Sequence, residues 1–186
     1  QASVDEWTTP LASGTKAITD VGFQPDLVLH FLSTATALGA SAIGRFGFGA
    51  MDKDSNQFGM AVESANGVSP SNTVRSRLSP ACLTLLASQA TSYTAKFASM
   101  DTDGFTVNFT QVTGANAFLV NSLSLKGFKV KCGSETKVAG AAPVDQTAVT
   151  LPFATTAFLA ASVWSADTAI NDNAAFALGG ASGTTA

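Results

Sequence analysis

The sequence SYTAKFASMDTDGFTVNFT, residues 92–110, contains the clearest local folding signal of the chain. Apolar and polar residues alternate before and after the central tetrad Asp101-Thr102-Asp103-Gly104. Alternation of this kind gives each strand one core-facing side, and Asp and Gly residues favour a tight turn between strands. The stretch therefore predicts a β-hairpin, in which Gly104 adopts the left-handed backbone conformation that glycine tolerates well.

The same strand signals recur along the chain, and no segment shows a convincing helical stripe. Gly, Ser, Asn, Asp and Pro residues separate the apolar runs. Many short strands without helices between them favour an all-β fold, an antiparallel β-sandwich of jelly-roll-like type. The candidate strands are TKAITDV (15–21), DLVLHFLS (26–33), AIGRFGFGAM (42–51), QFGMAVES (57–64), ACLTLLAS (81–88), SYTAKFASM (92–100), GFTVNFT (104–110), AFLVNSLSLKGFKVKC (117–132), QTAVTL (146–151), AFLAASVW (157–164) and AAFALGG (174–180).

The composition limits the kinds of partner. Only 12% of the 186 residues are charged, the net charge is −3 and the mean hydropathy is +0.25. Without a basic block the chain has no electrostatic footprint for nucleic acid, and no apolar run is long enough to span a membrane. So few surface charges suit a subunit that packs against neighbours, and we expect a homo-oligomer.

The two ends of the chain share an internal repeat. TKAITDVGFQPDLVLHFLS aligns with QTAVTLPFATTAFLAASVW after a one-residue gap, and FGFGA aligns with FALGG, at an offset of 130 residues. The pattern predicts a β-sandwich module at residues 1–127 and a partial second copy at residues 128–186. Because the second copy supplies few strands, we expect the chain to continue beyond Ala186, or these strands to pair with the first module or a neighbouring subunit.

His30, the single histidine, lies in the most apolar predicted strand. Strand alternation places it on one face with Val28 and Leu32. Two interpretations are open: a catalytic base in a pocket, or a packed residue with a hydrogen-bond partner. The second is favoured, because the aligned strand of the repeat has Ala160 or Ala161 at this position and the sequence has no recognisable nucleophile motif. No catalytic residue is predicted, and the fold is expected to form without the imidazole.

Two acidic loops are weak candidates for a cation site. DTDGF, residues 101–105, starts like a calcium loop but lacks the further ligands, and a solvated turn explains MDKDSN, residues 51–56. Asp101 and Asp103 share one turn, so they would lie on the same side of a substrate, unlike the carboxylates of a glycosidase. Turns are favoured for both loops, and neither a metal nor a cofactor is predicted.

The two cysteines, Cys82 and Cys132, do not define a site. They are too few for a disulfide framework and lack the spacing of metal ligands. Free, buried thiols are favoured over a disulfide between them, because a small buried cysteine commonly packs as an apolar residue.

Arg75 and Arg77, within SNTVRSRLSP at residues 71–80, are the candidates for subunit contacts. Two positions apart on a strand, they project from the same face and could grip an acidic neighbouring chain bidentately. The alternative is a pair of solvated arginines that discourage unwanted pairing at an edge strand.

Four motifs, ITDVGFQPDLVLHFL, SPSNTVRSRLSPACLTLL, MDTDGFTVNFT and LVNSLSLKG, together resemble a β-sandwich module, often tandem, of tailed-bacteriophage virion structural proteins. The resemblance spans roughly residues 14–127. It implies a non-enzymatic component of the virion, such as a capsid decoration, collar or tail protein, that packs against other virion subunits. It implies no catalytic residues and no cofactor.

The alternative to a structural subunit is a lectin-like host-recognition module of a tail or head fibre, whose loops would bind a host surface glycan. Sugar rings stack on exposed aromatic side chains that lie beside polar acceptors. Trp7, Tyr93 and Trp164 are the only large amphipathic aromatic residues, and Tyr93 and Trp164 fall within predicted strands. The structural role is therefore favoured.

Overall fold

In the computed structural model, every element of regular structure in the described part of the chain is a β-strand. The predicted all-β fold is therefore confirmed. The strands are β1 Ala2–Thr8, β2 Gly14–Ile18, β3 Leu27–Ser33, β4 Ile43–Asp52, β5 Gln57–Ala65, β6 Thr73–Leu78, β7 Leu83–Ala87, β8 Ala90–Asp101, β9 Gly104–Val112, β10 Leu119–Leu125, β11 Ala157–Trp164 and β12 Ala175–Ser182. The described residues are 1–33, 43–65, 67, 73–87, 90–134, 157–164 and 175–182.

The strands β1 to β10 form two sheets that pack face to face. The strand order is β1-β10-β3-β4-β5-β6 in the larger sheet and β2-β9-β8-β7 in the smaller sheet. Neighbouring strands are antiparallel in both sheets. Buried residues from the two sheets form one apolar core. The predicted antiparallel β-sandwich is therefore confirmed.

Alternation along each strand explains how these sequences form two layers. On β3 the buried residues are Val28, His30 and Leu32, and the residues between them are only half-buried. On β9 every second residue from Phe105 to Phe109 is buried. Removing one such apolar side chain from water stabilises the fold by about 1.5–3 kcal/mol, so the buried faces hold the sheets together.

The predicted hairpin is present between β8 and β9. Asp101 pairs with Gly104, which leaves Thr102 and Asp103 as the loop. The reason for the glycine differs from the prediction, because Gly104 is not in the left-handed region. A Cβ at Gly104 would instead overlap the carbonyl oxygen of Ile18 on β2. Glycine is needed there for the close approach of two strands.

Gly104→Val is expected to lower the free energy of unfolding by about 1–3 kcal/mol, because the edge strand β2 must move to admit the side chain. Urea denaturation measures the loss. Thr102→Val, in the exposed loop of the same hairpin, is the control and should change the stability by less than about 0.5 kcal/mol. Equal stability of Gly104→Val and the wild-type chain would contradict the close approach to Ile18.

The edge strand β1 was not predicted from the sequence. Its one buried residue is Trp7, whereas the apolar residue Val4 points outward and is 72% exposed. Asp5 lies on the same face as Trp7, because alternate residues share a face. The strand therefore lacks the apolar alternation that marks a strand in sequence, and it is held by pairing with β10.

Some side chains of β4 and β5 on the outer face of the larger sheet are buried. Phe48 and Met60 pair with each other and point away from the core, yet they are only 1% and 3% exposed. β7 lies against the inner face of β4 and β5, and β11 approaches β5 and β6. The β11–β12 hairpin is a separate two-stranded sheet beside this part of the larger sheet.

The β11–β12 hairpin has the same register as the β3–β4 hairpin. Leu29 pairs with Ala50 in the first hairpin, and Leu159 pairs with Gly180 in the second, so both partners are shifted by 130 residues. The same shift converts all seven pairs of β3 with β4 into pairs of β11 with β12. The offset seen in the sequence is thus matched in strand pairing.

This register assigns Ala160, and not Ala161, to the position that His30 occupies in the first hairpin. The division into modules at residues 1–127 and 128–186 stays a prediction. The candidate strand QTAVTL lies outside the described residues.

Candidate functional site

Three polar side chains form a hydrogen-bonded chain in the core between the sheets. β10 lies between β1 and β3 and carries Ser122 directly opposite His30. The indole Nε1–H of Trp7 donates to Ser122 Oγ at 2.9 Å, and Ser122 Oγ lies 2.9 Å from His30 Nδ1. The side chains of Ser122 and His30 are 0% exposed. We call Trp7, Ser122 and His30 the core polar chain.

Ser122 Oγ links the indole to the imidazole. The Trp7 indole N–H can only donate, so Ser122 Oγ accepts from Trp7, and the same oxygen forms the hydrogen bond with His30 Nδ1, whose direction depends on the ring tautomer. His30 Nε2 is buried and has no hydrogen-bond partner among the described residues. The His30 ring meets the rings of Trp7 and Phe105 edge-to-face, with centroids 6.3 and 5.6 Å apart.

His30 and Ser122 of the core polar chain are enclosed by the fold. Burial lowers the pKa of His30 from 6.5 to about 3, because the imidazolium loses its hydration, so the ring is neutral at pH 7. The structure thus shows the packed histidine with a hydrogen-bond partner that the favoured interpretation predicted.

The expectation that the fold forms without the imidazole stays a prediction, and the burial of His30 adds an expected cost in stability. Replacing His30 with alanine would leave a cavity and remove a hydrogen-bond partner of Ser122 Oγ, and both lower stability. Ala160 occupies the equivalent strand position, but the partners of His30 are supplied by β1 and β10. These partners lie far from His30 in sequence.

The folded protein is expected to lose stability as the pH falls from 6.5 toward 3. The unfolded chain protonates His30 near pH 6.5 and the folded chain only near pH 3, so the free energy of unfolding falls by about 1.4 kcal/mol per pH unit between them. Urea denaturation at pH 7 and pH 5 measures the change. His30→Gln, which has no titrating ring, should lose about 2 kcal/mol less over this interval. An identical pH dependence of the two proteins would contradict a buried neutral histidine.

Both cysteines are free and buried, as predicted. The Cys82 thiol donates to the carbonyl oxygen of Ala95 at 3.4 Å, and burial raises its pKa. Burial and the nearby Asp52 carboxylate raise the pKa of Cys132 to about 12. Because the thiolate is the reactive form of cysteine, neither residue is a nucleophile near neutral pH.

Asp52 closes the turn between β4 and β5 and also binds a distant segment. Its carboxylate is fully buried. Oδ1 accepts from the backbone N–H groups of Asp54 and Asn56 at 3.0 and 2.9 Å, and the Asn56 side-chain amide donates to both oxygens. Oδ2 accepts from the backbone N–H of Cys132 at 2.7 Å. The predicted turn is present, but its first carboxylate is buried and not solvated.

Asp26 binds the same distant segment. Its Oδ2 accepts from the backbone N–H groups of Gly127 and Phe128 at 2.7 and 3.3 Å. The backbone N–H of Lys53 donates to the carbonyl oxygen of Asp26 at 3.0 Å, which joins this residue to the β4–β5 turn. Asp26 and Asp52 therefore fasten the segment after β10 to one end of the sandwich, and both carboxylates accept from backbone donors there.

The carboxylate of Asp101 is also bonded within the fold. Its two oxygens accept from Ser99 Oγ and Thr106 Oγ1, each at 2.7 Å. Asp103 is exposed, and its carbonyl oxygen accepts from the backbone N–H of Gly22 at 3.0 Å. Among the described residues, no group of three or more His, Cys, Asp and Glu side chains is arranged to bind a metal ion.

Arg75 and Arg77 lie on β6, an edge strand of the larger sheet. They pair with Val62 and Met60 and therefore share the outer face with them. Arg75 is half-buried and Arg77 is exposed. The structure places the two residues on one face of the sheet. Their role in subunit contacts stays a prediction.

The half-buried Arg45 and the buried Glu63 form an ion pair that the sequence analysis missed. They lie directly opposite each other on β4 and β5, with Nε and Oε2 3.3 Å apart. The Arg45 guanidinium also lies 6.0 Å from the centroid of the Phe118 ring. The turn between β4 and β5 sets which residues of the two strands pair. That register places an arginine opposite a glutamate, which is the signal in the sequence that could have predicted this contact.

The aromatic residues considered for glycan binding lie mainly in the core. Trp7 and Tyr93 are buried, and the Tyr93 hydroxyl donates to the carbonyl oxygen of Asn116 at 2.6 Å. The side chain of Trp164 lies outside the described structure. Neither Trp7 nor Tyr93 presents a ring face on which a sugar could stack.

Comparison of the chain with known protein families, with curated proteins and with solved structures finds no match. The structure alone defines the class of protein, which is an all-β antiparallel sandwich with hydrogen-bonded polar side chains inside its core. Among the described residues there is no apolar helix of the length that a lipid bilayer requires.

Proposed function

We propose that this protein is a non-enzymatic structural component of a bacteriophage particle, as a capsid decoration, collar or tail protein, and that it acts by packing against other subunits. The proposal rests on the burial of the side chains that could act as reactive groups. His30, Asp52, Cys82 and Cys132 are all buried, and the first three are bonded through their side chains to other parts of the fold. These are the groups that would otherwise supply a base, a carboxylate or a nucleophile.

Apolar side chains at the surface support a packing role. Val4, Leu11 and Phe128 are 72%, 63% and 55% exposed. On the outer face of the larger sheet, Val4 lies opposite Leu123, which lies opposite Leu29, so an apolar row crosses β1, β10 and β3. Apolar rows on an open sheet face are typical of surfaces that contact another protein chain.

The bacteriophage assignment rests on the sequence motifs of the first 127 residues. The four motifs that resemble virion proteins are the segments around β3, β6 to β7, the β8–β9 turn and β10. The β-sandwich is the fold that this resemblance implied. The buried positions of Trp7 and Tyr93 favour subunit packing over the binding of a host glycan.

Quantitative mass spectrometry of gradient-purified particles tests the proposed function. We expect the chain in particles of the phage that encodes it, at a fixed copy number that survives a high-salt wash. A replication protein encoded by the same phage is the control and should be removed by purification. The chain found only in the soluble extract, as a monomer, would contradict the proposal. Strong binding of the purified chain to a host glycan would favour host recognition instead.

A further inference from the structure

The strand β1 is held to the sandwich by one buried side chain. Trp7 is the buried residue among the seven of β1, and alternate residues from Ala2 to Thr8 are exposed. Among the described strands, β1 pairs with β10 and with no other. Segments with few buried apolar contacts open at a lower free energy than the whole fold. These features are typical of a strand that can separate while the two sheets stay folded.

Trp7 connects the two sheets beside His30. Its ring meets His30 of the larger sheet and Phe109 of the smaller sheet edge-to-face, with centroids 6.3 Å apart in both pairs. Its indole N–H donates to Ser122 Oγ at 2.9 Å, and the same oxygen is bonded to His30 Nδ1. Separation of β1 would therefore remove the ring that packs against the imidazole, and water would reach His30.

The enclosure of His30 suits only the neutral form of its ring. An imidazolium has two N–H donors, and each needs an acceptor when it is buried. Nδ1 has Ser122 Oγ as its partner, whereas Nε2 is buried and has no hydrogen-bond partner among the described residues. Burial lowers the pKa of His30 from 6.5 to about 3. At a pH between these values, His30 takes up a proton when it is exposed to water and stays neutral when it is enclosed.

Few charged residues lie on the core-facing sides of the strands around His30. β9 and β10 contain none. The core-facing positions of the other strands hold Asp5 on β1, Lys16 on β2 and Arg45 on β4, and Arg45 forms an ion pair with Glu63. Asp5 lies on the strand that would separate, and its Oδ2 is buried without a hydrogen-bond partner in the described part of the chain. Protonation of Asp5 must therefore be distinguished from that of His30.

We propose that β1 separates from β10 as His30 takes up a proton from water, so that acid opens one edge of the sandwich and leaves both sheets otherwise folded. The separation removes Trp7 from the core and exposes the imidazole. It also exposes the backbone groups of β10 that pair with β1, and such an edge accepts another strand. This pH-sensitive switch is built into the fold, and it does not depend on the proposed role in a bacteriophage particle.

Amide hydrogen exchange of the full chain at pH 7 and pH 5 tests the inference, after correction for the chemical exchange rate at each pH. The protection of the amides that join β1 to β10 should fall about 25-fold at pH 5. This is the ratio for a proton that binds with a pKa of 6.5 in the open form and about 3 in the closed form. Equal protection of these amides at the two pH values would overturn the inference.

Complete unfolding takes up the same proton, so urea distinguishes it from the separation of β1. The amides between β1 and β10 should exchange faster than those between β8 and β9 and should hardly respond to about 1 M urea, because one separating strand exposes little surface. If both sets of amides have the same protection and the same response to urea, β1 leaves only when the whole fold unfolds, and the inference is wrong.

Two variants assign the proton. His30→Gln keeps a hydrogen-bonding side chain without a titrating ring, and the change between pH 7 and pH 5 should disappear. Asp5→Asn removes the carboxylate on β1, and the change should remain. A change that persists in His30→Gln, or that is lost in Asp5→Asn, would overturn the assignment to His30. If His30→Gln does not fold, the wild-type chain and Asp5→Asn still decide between the two residues.

Discussion

Gly49→Ala is expected to prevent folding, or to lower the free energy of unfolding by about 4 kcal/mol or more. The new Cβ would overlap the carbonyl oxygen of Cys82 and lie 2.9 Å from its carbonyl carbon. β4 is an interior strand of the larger sheet, and the backbone N–H of Cys82 is bonded to Ala95 in the smaller sheet. Neither backbone can withdraw without breaking hydrogen bonds of its own sheet.

Gly44→Ala, in the same strand, is the matched control for Gly49→Ala. Its Cβ meets only the carbonyl oxygen of Ser64, at 3.9 Å, which is an ordinary contact. The control should therefore stay within about 0.5 kcal/mol of the wild-type stability. Thermal unfolding followed by circular dichroism compares the three proteins. Near-wild-type stability of Gly49→Ala would contradict the direct packing of the Cys82 backbone against β4.

Asp52→Ala is expected to lower the free energy of unfolding by about 3 kcal/mol. The substitution removes the acceptor of the backbone N–H groups of Asp54, Asn56 and Cys132, and the buried Cys132 donor alone costs about 1–3 kcal/mol when it is left unpaired. Urea denaturation measures the loss. The segment at Cys132 should also be released, so a thiol reagent should label this residue faster in the variant.

Asp54→Ala is the control, because its carboxylate lies in the same turn but is exposed and forms only an exposed ion pair with Lys53, at 3.1 Å. Such pairs contribute about 0–1 kcal/mol, so the control should keep nearly the full stability. It should also keep slow labelling of Cys132. Equal stability and equal labelling of Asp52→Ala and Asp54→Ala would show that Asp52 does not hold the distant segment.

Local patterns in the sequence were sufficient for the hairpin at residues 92–110 and for the grouping of Val28, His30 and Leu32 on one face of β3. In both cases the alternation of side chains along a strand is a property of neighbouring positions, so it can be predicted without knowing the partner strand. β1 could not be found in this way, because Val4 points outward and Asp5 shares the inner face with Trp7. Its position is set by pairing with β10, near the other end of the first sandwich.

The polar groups of the core could not be predicted from local patterns. Trp7, Ser122 and His30 come together because β10 lies between β1 and β3, a strand order that the sequence does not state. Gly104 shows the same limit, since the sequence indicated a turn glycine, but the need for it comes from the approach of β2. Contacts between strands that are distant in sequence therefore determine both the hydrogen bonds of the core polar chain and the need for glycine at position 104.

A density map of the intact particle by electron cryomicroscopy is the most direct test of the claim that this protein acts by packing and not by chemistry. We expect copies of the two-sheet sandwich at symmetry-related positions, each in contact with other subunits through its surface apolar residues. A particle whose map contains no copy of the sandwich, while the chain remains a free monomer in the extract, would contradict the claim.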